Sequence, residues 1–198
     1  MADDSTAAPL QTRGGGNSTT AVRRLVERAQ GGDRAALEEL YLLHFDRIYS
    51  YLHMSVGNRH DAEDLTNQTF VKMLESIERF EWRKVPLSAW LFRIAHNLAM
   101  DHFRASRRWQ PEEEPPEPEP DERRTAHEEA LESIGRQSML EMIAALSADQ
   151  QQVLTLKFVF NFSNGEVAAI LGKTEGAVKS LQHRALASLQ RQLTKSPS

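Results

Sequence analysis

The stretch FSNGEVAAILGKTEGAVKSLQHRALASLQ, Phe162 to Gln190, holds two short helical patterns that meet at a glycine. Ser163 stands three residues before Glu166. That is the spacing of a capping box, in which the hydroxyl accepts from a free helix N–H and the carboxylate reaches back. Val167, Ala168, Ile170 and Leu171 supply a short apolar helix, with Ala168 and Ala169 small enough for a close helix crossing. Gly172 lets the chain leave in a left-handed conformation. Thr174 can cap the next helix, and Glu175 suits its positive end. Ala177, Val178, Leu181, Ala185, Leu186 and Leu189 then form an apolar stripe. A short helix, a tight turn and a longer helix make a helix-turn-helix. Lys179, Ser180, Gln182, His183 and Arg184 cannot all face its core. A helix fits the major groove of B-form DNA, where such side chains read base edges or neutralise phosphates. A helical hairpin with a solvated polar face remains the plainer alternative.

A formal net charge of -4 sits uneasily with DNA binding until it is divided along the chain. Residues 20–108 carry +2, residues 109–129 carry -7, residues 130–198 carry +2 and residues 1–19 carry -1. The acidity is therefore concentrated in one segment, and local distribution matters more than the total. That segment reads WQPEEEPPEPEPDERR, Trp109 to Arg124. Its prolines and close-set carboxylates predict an extended, self-repelling linker. The first residues, with GGG at Gly14–Gly16, predict a disordered tail. The expected organisation is a tail (1–19), a helical unit (20–108), a linker (109–129), a second helical unit (130–194) and a short end (195–198).

In the first unit Val22, Leu25, Val26 and Ala29 form one stripe, broken by Gly31–Asp33. Asp33 can cap a second helix carrying Ala36, Leu37, Leu40, Leu43, Phe45, Ile48, Tyr51 and Leu52. A third begins near Asp61 and carries Ala62, Leu65, Phe70, Met73, Leu74 and Ile77. A fourth follows Pro86, with Trp90, Leu91, Ile94, Leu98 and His102 at helical period. Ahead of the helix-turn-helix, Met139, Met142, Ile143 and Leu146 share a face, and Ser147 or Asp149 can cap a helix with Val153, Leu154, Leu156 and Lys157. The predicted fold class is all-α, with two small helical domains.

On the fourth helix Arg93, Asn97, Asp101, Arg104 and Arg108 lie about one turn apart, with Arg107 adding charge at the end. The preceding loop mixes Phe80 and Trp82 with Arg83 and Lys84. Aromatics beside cations can stack exposed bases while holding phosphates. The alternative is that the rings close the bundle and the cations reach outward.

The seven histidines form no compelling site, and there is no P-loop, dinucleotide fingerprint or H-E-x-x-H motif. No catalytic role, cofactor or metal is expected. With no cysteine, no apolar run long enough for membrane insertion and an acidic start, the simplest setting is cytoplasmic.

Three segments in order resemble sigma factors of the sigma-70 family, extracytoplasmic-function (ECF) group. DAEDLTNQTFVKML (Asp61–Leu74) resembles the core-polymerase-binding segment. PLSAWLFRIAHNLAMDHFRASRR (Pro86–Arg108) resembles the segment that engages the -10 element. LSADQQQVLTLKFVFNFSNGEVAAILGKTEGAVKSLQHRALASL (Leu146–Leu189) resembles the domain that reads the -35 element. The resemblance implies a sigma-2 bundle, a sigma-4 helix-turn-helix, and partners in core RNA polymerase, promoter DNA and an anti-sigma factor. It places core-polymerase contacts at Asp61, Glu63, Asp64, Leu65, Gln68 and the neighbourhood of Val71. It places -10 contacts at Phe80, Trp82, Arg83, Lys84, Arg93, Asn97, Arg104, Arg107 and Arg108. It places -35 contacts at Thr174, Glu175, Lys179, Ser180, Gln182, His183 and Arg184, with Lys179, His183 and Arg184 foremost. VKSLQHRA departs from the arginine-containing VKSR pattern of many relatives, so one contact is absent or moved. The alternatives are a helix-turn-helix regulator that does not bind core polymerase, and a helical protein-interaction adaptor.

Overall fold

The computed structural model describes residues 15–82, 85–109, 143 and 145–194, and the described elements are helical throughout. The expected linker and tails lie outside these residues, apart from 15–19 and Trp109. α1 (Gly15–Gln30), α2 (Arg34–Val56), α3 (Arg59–Ser76) and α4 (Leu87–Trp109) form a first group. α5 (Ala148–Leu154), α6 (Asn164–Leu171) and α7 (Glu175–Leu193) form a second. A turn of 3-10 helix, Ile77–Arg79, follows α3, and a wider π-type turn, Thr155–Val159, follows α5. No described helix is long and apolar enough to cross a membrane.

Helix boundaries follow local chemistry. Asp33 Oδ1 accepts from the Ala35 and Ala36 N–H groups, so α2 starts where the sequence places it. Gly57 ends α2 in the left-handed region (φ 70°). Asn58, not a residue nearer Asp61, caps α3 through the Asp61 N–H. α1 reaches back to Gly15, into the stretch expected to be a tail. Once the Val22–Ala29 stripe is docked, extending a formed helix is far easier than nucleating one.

The core of the first group contains Val26, Ala36, Leu40, Ile48, Tyr51, Leu52, Ala62, Met73, Leu91 and Phe92. Two residues expected in it are outside. Leu43 is 51% exposed and Leu74 is 51% exposed. Both lie next to apolar neighbours, so composition suggests a wider stripe than the packed bundle covers. α5, α6 and α7 bury Val153, Leu156, Val167, Ile170, Val178 and Ala185. Leu186, expected in the α7 stripe, is exposed.

The two groups share one core. α6 packs on α7 and also on α4. Ala168, 7% exposed, belongs to the common core, and its small side chain suits close helix approach.

His44 is buried on α2 with its Nε2 lacking a partner, and burial pushes the imidazole down to about 4. The nearby Arg47 acts in the same direction. His96 is also shifted down, by burial first and by Lys173 second, with Asp149 opposing. A histidine held neutral when folded charges first in the unfolded chain. Its contribution is therefore intact above pH about 6.5 and lost as pH falls toward about 4. His44 alone should cost on the order of 2 kcal/mol of stability between pH 7 and pH 5. Urea unfolding at both pH values should show the acid-side loss reduced by about that amount in His44→Leu. A separate expectation concerns Gly172, at φ 63° with open space where a Cβ would sit. Gly172→Ala should lower stability by about 1 kcal/mol through backbone strain alone, read from the same unfolding curves.

Candidate nucleic-acid and polymerase interface

α7 is held by the caps read from its sequence. Ser163 and Glu166 form the reciprocal box at the start of α6, with Ser163 N–H donating to Glu166 Oε2 at 2.7 Å and Glu166 N–H to Ser163 Oγ at 3.3 Å. Gly172 turns the chain, and Thr174 Oγ1 accepts from the Ala177 N–H at 3.2 Å. Val178, Leu181 and Ala185 are buried, which leaves Lys179, Ser180, His183 and Arg184 exposed on the opposite face and Gln182 at its edge. Leu181 is thus a core residue of the helix-turn-helix. Lys179 is engaged along its own helix by Glu175 at 2.9 Å. Among the described residues, Arg184 Nε donates only to the Ser180 carbonyl. It is therefore the α7 cation with its charge least compensated by a carboxylate among those named.

A second polar face lies on α4. Arg93, Asn97, Asp101 and Arg104 are all exposed, as their spacing predicts. Arg104 is paired with Asp101 at 2.8 Å, which leaves Arg93 as the unpaired charge of that row among the described ion pairs. The side chains of Arg107 and Arg108, and Arg83 and Lys84 entirely, lie outside the described residues. In the loop before α4, Phe80 is buried at 8% exposure and packs on Trp90 at 5.0 Å and edge-on to Trp82 at 5.8 Å. Gln30 Nε2 donates to the Ile77 and Phe80 carbonyls at 3.0 and 2.8 Å. α1 thereby anchors the loop entrance. Phe80 serves the core, and Trp82 and Trp90 are half-buried against it.

A third surface mixes polar side chains with exposed apolar ones. Asp64, Asn67, Gln68, Val71, Lys72 and Glu75 line an open groove along α3. Val71 is 52% exposed, and Leu74 and the α2 pair Leu42 and Leu43 are also open. The Tyr41–Phe70 ring contact at 4.7 Å sets these stretches of α2 and α3 level with one another. Of the residues expected here, Asp64 and Gln68 face outward, whereas Leu65 is buried in the core. Asp61 lies 3.5 Å from His102 on α4, and Glu63 is bound to Arg59 at 2.9 Å. Both acids brace α3, and the bond to Arg59 holds the Glu63 carboxyl below the usual range.

The contacts joining the two helical groups were not visible in the sequence. Phe92 of α4 is packed edge-on by Phe160 at 5.0 Å and Phe162 at 4.8 Å. Tyr51 of α2 meets Phe160 at 5.7 Å and bonds His96 Nδ1 at 3.1 Å. The Arg47 guanidinium stands over Phe92 and Phe162, at 5.6 and 5.5 Å, and donates to the Phe160 carbonyl at 2.8 Å. Asn161 between the two phenylalanines has φ 58°, a conformation asparagine tolerates better than most residues. The signal available in the sequence was the FNF triplet at 160–162, apolar residues in what otherwise reads as a loop.

Residues 40–109 match the family model for Sigma-70 region 2, and residues 136–189 match that for Sigma-70, region 4. The chain is 38% identical to the ECF RNA polymerase sigma factor BldN of Streptomyces coelicolor, over 85% of this chain and 64% of BldN. It therefore spans just under two thirds of that relative. It is 32% identical to the ECF RNA polymerase sigma factor ShbA of Streptomyces griseus, over 88% of this chain and 96% of ShbA. Among solved structures it resembles the sigma factor RpoE in complex with the anti-sigma factor NepR from Bartonella quintana. That likeness has a TM-score of 0.64 and 25% identity, and it covers 81% of this chain and 98% of RpoE. With both regions matched in order, and an ECF relative covered almost end to end, the chain belongs to the ECF group of the sigma-70 family of RNA polymerase sigma factors.

Proposed function

We propose that this chain binds core RNA polymerase, directs it to promoters with -35 and -10 elements and helps open the duplex, without performing bond chemistry itself. The observation that carries this reading is α7. It is the second helix of a capped helix-turn-helix, and it buries Val178, Leu181 and Ala185 while exposing Lys179, Ser180, His183 and Arg184. Membership of the sigma family supplies the polymerase context for that DNA-facing helix.

α7 enters the major groove of the -35 element, with Arg184 and His183 as leading contacts and Ser180, Gln182 and Lys179 alongside. Thr174 and Glu175 set the start of the helix against the DNA backbone. α4 lies along the upstream part of the -10 element through Arg93, Asn97 and Arg104. Trp82, with Arg83 and Lys84, is the loop component for exposed bases, since stacking needs a ring that is not wholly buried. The exposed face of α3 with Val71 and Leu74, bordered by Asp64 and Gln68, is the core-polymerase surface, and Leu42 and Leu43 of α2 are further exposed apolar residues. That face has the apolar centre and polar rim of a docking site. RpoE is solved with an anti-sigma factor, and we propose a protein of that class as the inhibitory partner here. The acidic 109–129 segment, repelled by duplex DNA, would discourage binding by the free chain.

The deciding experiment is run-off transcription with purified chain, bacterial core polymerase and a promoter library. Specific initiation that needs both proteins is expected; failure to bind core would reject the reading. Arg184→Ala should weaken the promoter complex about tenfold at physiological salt, measured by titration of the holoenzyme on labelled promoter DNA. The pair Val71→Asp and Leu74→Asp should weaken core binding by more than about tenfold while leaving the thermal melt in place, because both side chains are on the surface.

A further inference from the structure

Gln30 is the last residue of α1 and is half-buried. Its Nε2 donates to the Ile77 carbonyl at 3.0 Å and to the Phe80 carbonyl at 2.8 Å, 47 and 50 residues away. A side-chain amide has two N–H donors, one for each bond. The Ile77 carbonyl also accepts from the Phe80 N–H at 3.0 Å, which closes the 3-10 turn after α3. Carbonyls at the end of a helical turn find no donor further along it. Gln30 brings them one from a different helix.

The point from which Gln30 reaches is itself fixed. Val26 and Ala29 of the same turn are buried. Gly31 N–H donates to the Glu27 and Arg28 carbonyls, and Gly32 N–H to that of Ala29. Arg28 Nε donates at 2.8 Å to Asp33, the residue that caps α2. The end of α1 is therefore tied to the start of α2.

Phe80 is restrained a second time, through its ring. That ring packs on Trp90 at 5.0 Å, and Trp82 meets it edge-on at 5.8 Å. At the far end of the loop the Pro86 carbonyl accepts from the Trp90 N–H at 3.2 Å. α4 thus holds the loop exit and the Phe80 ring, while α1 holds the Phe80 backbone. Trp82 stands two residues beyond that backbone anchor.

Taking a base out of the duplex stack costs energy that protein contacts must offset. A loop that has to be ordered in the same step adds a cost of its own, and a loop already in place avoids it. We propose that Gln30 is a positioning residue for strand opening: its two hydrogen bonds hold the loop entrance so that Trp82 is in place when a base leaves the stack. Gln30 acts through the Phe80 backbone. The strand-opening half of this statement rests on the promoter reading above; the order of the loop in the free chain does not. The effect is selective. Capture of unpaired bases passes through Gln30, whereas docking of α7 on duplex DNA and of α3 on polymerase does not.

Gln30→Met keeps the side-chain length and removes both donors, and Gln30→Lys restores a donor. In the free full-length chain, amide hydrogen exchange at residues 80–82 should be about tenfold faster in Gln30→Met, with exchange in α7 and the thermal melt unchanged. In complex with core polymerase, Gln30→Met should bind a single-stranded non-template -10 oligonucleotide about tenfold more weakly. Affinity for a -35 duplex should be unchanged. At saturating polymerase, initiation should drop on duplex promoter and return to near the wild-type level on a template already unpaired across the -10 element. Gln30→Lys should recover most of each loss. Unchanged exchange at residues 80–82 would overturn the anchor. Equal losses on the -10 strand, the -35 duplex and core polymerase would reduce Gln30 to a general structural role and overturn the proposal. So would a faster loop with unaltered affinity for the -10 strand. If the loop exchanges faster in Gln30→Met yet the wild-type chain never initiates with core polymerase, the anchor stands and the promoter reading falls.

Discussion

Phe92 sits in the second turn of α4 with no surface left to solvent, and the rings that enclose it come from both halves of the molecule. Tyr51 approaches from α2, and Phe160 and Phe162 from the turn before α6. Edge-to-face contacts of this kind add to the energy of burial itself, by about 0.5–1.5 kcal/mol for each pair. α4 therefore has one face committed to its own bundle, a second committed to α6 and a third, with Arg93, Asn97 and Arg104, left exposed. The orientation of the helix-turn-helix in the free chain depends on the same ring. Neither group buries its apolar surface completely without the other.

Around that centre, most polar detail serves positioning. Gln30 bridges two carbonyls at the start of the loop before α4, and Asn58, Ser147, Ser163 and Thr174 each cap a helix end. The charges divide similarly. Lys179 and Arg104 are satisfied by neighbouring carboxylates, whereas Arg184 and Arg93 have no such partner among the described ion pairs. Exposed pairs contribute little to stability. Their consequence is a ranking of which cations are ready for phosphate.

The helix-turn-helix was readable because caps and glycine turns are local: Ser163 and Glu166, Gly172 and Thr174 each act within four residues. The exposed row on α4 was readable for the same reason, since 3.6-residue periodicity shows which residues share a face. Leu43 and Leu74 were misplaced because period alone does not say how wide a stripe the neighbouring helices will cover. Phe80 was open to two readings, base contact or bundle closure, because an aromatic beside cations looks alike whether it stacks inward or outward; in the structure it is buried and packs on Trp90. The Arg47 bond to Phe160 spans 113 residues and follows no local pattern. Contacts of that range arise from packing two finished units, and only the FNF triplet hinted that the loop had something to bury.

The exposed apolar residues of α2 and α3 also bear on how much of this chain a cell can hold. Leu42 is 66% exposed, and Leu43, Val71 and Leu74 are each open by about half. Covering apolar surface is worth about 25 cal/mol per Å² whichever surface does the covering. A molecule whose exposed apolar residues are left uncovered therefore carries the same attraction toward other copies of itself and toward the cell's quality-control machinery. Surplus protein would be the least soluble form and the first to be cleared. Abundance would then track the supply of partners, a ceiling imposed by surface chemistry rather than by any dedicated control.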